Sequence, residues 1–295
     1  MTTNQKVQEL KPNFFRDFII GGFKLMGRSR MMTVGFVLVL IMTILALLAP
    51  FISPYDPLDI NPMRRLQPPS REHLMGTDEV GRDVFSRVLW GARISLLTGA
   101  LVVIFSNIFG IVIGLVAGYY DKVDKVIMRL MDGLMAFPIM LLAVAMMAAL
   151  GARLSNVIIA LSIVFAPRVA RVVRGVVLTV RESAYVEAAI VVGAPSWKII
   201  FIHILPNCLD PIIVQSSFMF AQAVLAEAAL SFLGAGIPPW LPSWGNIMTG
   251  GRLYISVAPW MTIYPGIAII ICVLGLNLFG DGLRDLADPR LRGVI

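Results

Sequence analysis

Long stretches of this chain carry no charged side chain at all. Met31 to Ile52 is one, 22 residues long, and Ile94 to Tyr120 is another, of 27. Gly133 to Ala152 gives 20 and Leu253 to Gly280 gives 28. With a helical rise of about 1.5 Å, roughly 20 apolar residues cross the hydrocarbon core of a bilayer. Lipid offers no hydrogen-bond partner to the backbone, so such a run must satisfy its own N–H and C=O groups as helix. Two further stretches are interrupted. Leu154 to Pro167 is charge-free for 14 residues, and Val169 to Val180 extends it with arginines only at Arg171 and Arg174. Ile204 to Ala226 contains one acid, Asp210. The expected fold class is an all-α membrane protein with six transmembrane helices, near residues 31–52, 94–118, 129–151, 155–178, 208–232 and 259–281.

Composition points the same way. Hydrophobic residues make up 58% of the 295 and charged residues 15%, against about half and about a quarter in soluble domains. Disorder is excluded, because there is ample apolar surface to bury. The net charge of +7 would suit nucleic acid in a soluble protein. In a chain with a mean hydropathy of +0.82, a positive excess on cytoplasmic loops is the better reading, with no nucleic acid as partner. With the N-terminus placed in the cytoplasm, 17 of the 25 Lys and Arg residues fall on inner segments and eight on outer ones. Both termini are therefore expected to be cytoplasmic. Thirty mostly polar or mixed residues precede the first apolar run, and no small-residue cleavage site follows promptly, so that run is expected to be retained as a span rather than removed as a signal peptide.

Several chemistries find no support. Cys208 and Cys272 both lie in apolar stretches and fit as small packing residues, and His73 and His203 have no partner at metal-ligand spacing. No metal site is expected. There is no Gly-x-x-x-x-Gly-Lys-Ser/Thr phosphate loop, so the chain is not expected to hydrolyse ATP. No nucleophile–base set stands within the spans. An ion-coupled secondary transporter would need acids at mid-membrane, and the spans hold almost none.

The inner segment Arg181 to Asn207 reads RESAYVEAAIVVGAPSWKIIFIHILPN. Ser183 is a candidate N-cap for a short helix through Glu187. Gly193 suits a helix C-terminus and Pro195 stops that helix from continuing. Ser196 then caps a second helix, Trp197 to Ile204, expected to end near Pro206. The two make a helix, a sharp turn and a helix at the inner membrane surface, with apolar Val186, Ile190, Trp197 and Phe201 among few charges. Such an element suits a protein groove or the lipid interface, and periodicity leaves both open.

Glu187-Ala188-Ala189, Gly193 six residues after the Glu, and then Leu205-Pro206 resemble the EAA motif of ABC importer permeases. The stretch from Gly76 through Asp78, Arg82 and Asp83 to Arg87, with Gly91-Ala92-Arg93-Ile94-Ser95, resembles the outside loop of the dipeptide/oligopeptide/nickel permeases, an OppBC-like group. Glu227 to Gly234 and Asn277 to Pro289 do so too. The resemblance covers nearly the whole chain from about residue 30 and is to the second, C-type permease of that group. Val192, before Gly193, departs from the polar or small residue common there.

That resemblance implies a type I ABC importer permease fold with a cytoplasmic coupling helix. Its domains would be a cytoplasmic segment 1–30, a first span and external loop 31–93, a permease core 94–281 with a coupling loop 179–207, and a cytoplasmic tail 282–295. The implied partners are a homologous second permease, two cytoplasmic ABC ATPase subunits and an extracytoplasmic solute-binding protein, in the cytoplasmic (inner) membrane of a bacterium or archaeon. ATP and Mg would bind the ATPases and no cofactor this chain. Glu187, Ala188, Ala189, Gly193, Ala194, Pro195, Leu205 and Pro206 would lie at the ATPase contact. The implied substrates are di- and oligopeptides, with nickel, glutathione or another small solute as the alternative.

The remaining polar residues carry paired readings. Glu227, near the outer end of the fifth span, is a candidate pathway or gating residue, or an acid solvated or paired at the interface. Asp78, Arg82 and Asp83 either brace the outside loop with ion pairs or meet the binding protein. Asp132 is expected to bond locally, and Arg168, Arg171 and Arg174 to snorkel to a membrane edge. Met128, Met131, Met135, Met140, Met146 and Met147 suit packing or lipid contact more than an adaptable pathway lining. Trp240 and Trp244 suit an outer aromatic belt.

Overall fold

A computed structural model describes residues 30–287. The expected segment 1–30, apart from Arg30, and most of the tail 282–295 lie outside the described residues. Nine helices organise the described chain: α1 (Arg30–Ile52), α2 (Val84–Tyr119), α3 (Asp121–Ala136), α4 (Ile139–Leu150), α5 (Leu154–Arg181), α6 (Ala184–Val191), α7 (Ser196–Phe232), α8 (Trp244–Gly251) and α9 (Trp260–Ala287). An isolated bridge, Thr77 to Asp83, is the β-pairing among the described residues. Five helices, α1, α2, α5, α7 and α9, are long and apolar enough to cross a membrane, and α3 with α4 forms a sixth segment bent by 95°.

The spans depart from expectation where a charge or a proline was taken to mark an end. α2 starts at Val84, ten residues before the expected 94, because the Asp83 carboxylate caps it by accepting from the Ser86 N–H at 2.7 Å. The third span is not one straight helix over 129–151. Pro138 pushes Phe137 into extended backbone (φ −84, ψ 139) and lacks the N–H to carry the ladder on, so the chain bends between α3 and α4. Pro206 does not end the second inner helix. A π-helical stretch, Ile199–Ile204, brings the Leu205 N–H to the Ile200 carbonyl, and the helix runs on into the fifth span. The sixth span continues to Ala287, past the expected 281.

The centre of the bundle is the α2–α5 contact. Gly110, Gly114 and Gly118 repeat every four residues on α2 and face Val169, Val173 and Val177 at the same repeat on α5. A β-carbon at these glycines would come within 2.5, 2.7 and 2.6 Å of the facing valine β-carbons. Small residues at this spacing let two helices approach where lipid supplies no hydrophobic drive. α1 closes on α9, and α8 inserts Trp244 into a second cluster with Val84, Val88, Ala228 and Met261. Cys208 and Cys272 are both buried and unpaired.

The bundle has two distinct ends. One, the loop end, carries residues 53–83 and α8. The other, the helix-pair end, carries α6 and the start of α7. There Arg181 donates to the Tyr119 carbonyl at 3.1 Å, which brings the end of α5 to the end of α2.

Candidate functional site

At the helix-pair end, α6 stops in a glycine turn. Gly193 has φ +81, and its N–H reaches the Ile190 carbonyl at 2.9 Å while the Ala194 N–H reaches Ala189 at 3.0 Å. This pair of bonds satisfies the last carbonyls of the helix and reverses the chain. Ser183 stands at the N-cap of α6, but its hydroxyl donates back to Val180 at 2.6 Å instead of capping. Val186 is the one fully buried residue of α6 and anchors it on the bundle. Asn207 Nδ2 donates to the Tyr185 hydroxyl at 3.3 Å and ties α6 to α7.

The outward side is apolar. Val191 and Val192 are each 87% exposed, and Trp197 and Phe201 are more than half exposed. Glu187, Ala188, Gly193, Pro195 and Pro206 are exposed on the same element, and Ala189, Ala194 and Leu205 are half-buried. Of the eight sequence-expected contact residues, five are therefore on the surface, while Ala189, Ala194 and Leu205 pack partly against the core. Val192, the departure from the motif, lies at the tip of the element.

The loop end is the opposite in character. The Asp78 carboxylate accepts from the Val80 and Arg82 N–H groups at 3.0 and 2.9 Å and from Arg82 Nε at 2.6 Å. Arg87 Nε lies 3.6 Å from it, and Arg87 Nη1 donates to the Pro57 carbonyl at 3.3 Å. Asp83 caps α2 and lies 2.9 Å from His73 Nδ1. Asp78 and Asp83 are both buried, so their carboxylates brace the loop and are turned away from any docking protein. The reading that they meet a binding protein directly fails for these two acids. Trp244 is also buried, with Nε1 donating to the Val88 carbonyl at 3.1 Å, so only Trp240 is placed for an aromatic belt.

Glu227 is neither solvated nor at an interface. It is fully buried, and it accepts from Ser95 Oγ and Ser231 Oγ at 2.9 Å each. The Trp244 N–H donates on to Ser95 Oγ at 3.3 Å and the Ile237 N–H to Ser231 Oγ at 3.2 Å. One carboxylate therefore joins α2, α7 and α8. The sequence offers Trp244 only for an aromatic belt and gives Ser95 no role, so neither was a candidate for this join. Glu227 and Ser231, four apart on one helix, carried a signal that could have been read.

A third polar region crosses the middle. Arg171 pairs with Asp132 of α3 at 2.6 Å, and Arg174 is bidentate to Asp124 at 2.5 and 2.7 Å. Arg181 reaches Asp121 at 2.9 Å. Arg168 instead donates to the Gln222 side-chain carbonyl of α7 at 2.5 Å and lies 5.8 Å from the Phe165 ring. It stands 14 residues from Leu154 and 13 from Arg181, about 20 Å from either end of α5. Arg168, Arg171 and Arg174, expected to snorkel to a membrane edge, each bond a side chain on a neighbouring helix. An arginine facing lipid at this depth costs about 2.5–3.5 kcal/mol, so such residues face a bundle interior or a water-filled cavity. Of the six methionines, Met147 is buried and the others are half-buried. Among the described residues no group of His, Cys, Asp and Glu side chains has the arrangement of a metal site.

A multi-pass helical bundle with an uncovered helix pair at one end and polar groups through its centre has the build of a membrane transport subunit. Residues 110–293 match the family of binding-protein-dependent transport system inner membrane components, and residues 25–69 match the N-terminal TM domain of oligopeptide transport permease C. The chain belongs to this permease family and has its fold. A putative peptide transport system permease protein of Brucella suis is 51% identical over 265 residues, 90% of each chain. The dipeptide transport system permease protein DppC of Alkalihalophilus pseudofirmus is 43% identical over 92% of this chain and 89% of its own. The glutathione transport system permease protein GsiD of Pectobacterium atrosepticum is 42% identical, covering 86% of this chain and 85% of its own. Among solved structures, a chain of the MetNI methionine ABC transporter has a TM-score of 0.49 at 20% identity, over 65% of this chain and 94% of that one.

Proposed function

We propose that this chain is one of two homologous permeases forming the membrane pathway of a binding-protein-dependent ABC importer for di- and oligopeptides. In this reading the helix-pair end is cytoplasmic and the loop end faces outward, towards the solute-binding protein. Both termini lie in the cytoplasm, and the membrane is the inner membrane of a bacterium or archaeon. The chain itself is non-catalytic. Two ATPase subunits bind ATP and Mg, and the α6–α7 pair seats in a groove on one of them.

The observation that carries the reading is the uncovered apolar tip at Val191, Val192, Trp197 and Phe201, beside Glu187 and the Gly193 turn. Apolar side chains gathered at the end of a short helix suit a groove on a partner. Ala188 and Ala189 permit close approach, Gly193 permits the reversal, and Glu187 faces a cation or N–H of the ATPase. The substrate class rests on the relatives named as peptide permeases. Glutathione is a second reading, supported by the relative named for it.

Purification of the chain from its host in mild detergent tests the assembly. Two ATPases and a second permease of similar size should accompany it. Recovery of the chain alone would sink the importer reading. The same complex in proteoliposomes, with its binding protein, should take up dipeptide when ATP is supplied to the ATPases, and glutathione uptake in its place would select the second reading.

A further inference from the structure

We infer that Arg168 is a carboxylate-binding point inside the translocation pathway, meeting the C-terminal carboxylate of a peptide in transit; this rests on the peptide-import reading above. Arg168, Arg171, Gly175 and Thr179 follow one another at helical spacing and form a single stripe on α5. The last three are exposed and Arg168 is half-buried, while Gln222 is exposed on the neighbouring α7. A polar stripe running from mid-membrane to the helix-pair end cannot face acyl chains, so it faces water or a partner chain. The cations near it are neutralised, Arg171 on the stripe by Asp132 and Arg174 beside it by Asp124. Arg168 is different. Its partner is the neutral amide of Gln222, and among the described residues no carboxylate lies within ion-pairing distance of it. The deepest position on the stripe therefore holds its uncompensated positive charge.

The chemistry of that position selects a carboxylate. A guanidinium presents five donors in a planar fork that matches two carboxylate oxygens. One donor is held by Gln222, and the buried Phe165 ring lies 5.8 Å from the guanidinium carbon, which together fix its orientation. Every unmodified peptide carries a C-terminal carboxylate whatever its side chains, so one such contact serves many sequences. A half-exposed cation also holds an anion loosely enough for it to leave, as passage through a pathway requires.

The test uses the whole complex with its binding protein in proteoliposomes supplied with ATP. Uptake of dialanine is compared with uptake of dialanine amide, which lacks the carboxylate. The binding protein's own preference is the same for every variant and cancels in the comparison of ratios. Arg168→Gln should lower the acid-to-amide uptake ratio at least about fivefold, the loss expected for one charge-assisted contact, with amide uptake little changed. Arg168→Lys should keep most of the ratio. If the wild type imports only the acid, acid uptake per ATP hydrolysed becomes the readout, expected to fall in Arg168→Gln and to hold in Arg168→Lys. An unchanged ratio, or an equal fall for both peptides, would overturn the assignment. So would loss of the second permease from purified Arg168→Gln, which would place an acid of that chain opposite the guanidinium. Wild-type vesicles that take up neither peptide would overturn the peptide reading itself, and this inference with it.

Discussion

The two ends of the bundle both turn on glycines, yet the glycines are there for different reasons. Gly81, at the loop end, has φ +85, and a β-carbon there would overlap the Asn61 carbonyl. Gly193, at the helix-pair end, has φ +81, and a β-carbon there would meet nothing within 4 Å. The first turn is packed from outside; the second is open. The same contrast runs through the surroundings. At the loop end Thr77, Asp78, Asp83 and Arg87 are buried, while Val191 and Val192 at the other end are 87% exposed. At one end the buried polar side chains are braced within a single chain. The other turns on backbone bonds, held to the bundle by Val186 and the Asn207–Tyr185 bond, and leaves the apolar side chains of its tip exposed.

The largest effect expected from this contrast is at Gly81. Gly81→Val adds a side chain where the space is filled and forces a branched residue into left-handed backbone. A destabilisation of about 3 kcal/mol or more follows, read as lost yield of monodisperse protein in mild detergent. A stable, fully assembled Gly81→Val variant would show that the loop end is not the rigid one.

Next comes Glu227. Replacing it with Ala leaves the buried hydroxyls of Ser95 and Ser231 without their shared acceptor and opens a hole between α2, α7 and α8. The cost is about 2–4 kcal/mol, seen as a lower thermal midpoint. Glu227→Gln keeps the shape and the acceptor oxygen, so it should lose much less. Equal losses would mean that the charge, and not the shape of the join, matters there.

At the open end the expected effect is on transport more than on stability. Glu187→Lys, or Gly193→Trp, should reduce ATP-driven uptake more than tenfold; the thermal midpoint should hold in the first, whose residue is exposed, and fall slightly in the second, whose left-handed backbone strains any side chain. Gly193→Ala is the sharper probe. Left-handed backbone costs an alanine about 1 kcal/mol, so stability should fall slightly whether or not an ATPase groove covers the turn. Unchanged uptake in all three would dissolve the contrast between a braced end and an open one.

Much of this was legible from charge-free runs and turn residues. The spans at 31–52, 155–178 and 259–281 lie within one to six residues of α1, α5 and α9. The Gly193 turn was also readable, because glycine after a helix followed by proline has few other uses. What failed were rules that treat every charge or proline as a boundary. Arg87 lies inside α2 because Asp78 and the Pro57 carbonyl, distant in sequence, surround it. Pro206 lies inside a helix because a π turn takes up the missing bond. The joins of the centre were illegible for a simpler reason. Ser95 and Glu227 are 132 residues apart, and Arg168 and Gln222 are 54 apart. No local pattern pairs them.

The smallest effect expected lies between the two ends, at the Arg174–Asp124 pair. Its geometry is the best of the ion pairs, bidentate at 2.5 and 2.7 Å. Its side chains are nonetheless 31% and 18% exposed, so water screens part of the attraction. Pairs of this kind contribute about 0.2–1 kcal/mol. Arg174→Ala should therefore lower the thermal midpoint only slightly, and Asp124→Asn less, since an amide oxygen still accepts one of the two bonds. The double variant should cost little more than Arg174→Ala alone, because the partner left behind reaches water. A cost of several kcal/mol would instead mean that this stretch of α3 and α5 is dry in the assembled transporter. The packed part of the molecule would then extend almost to the helix pair.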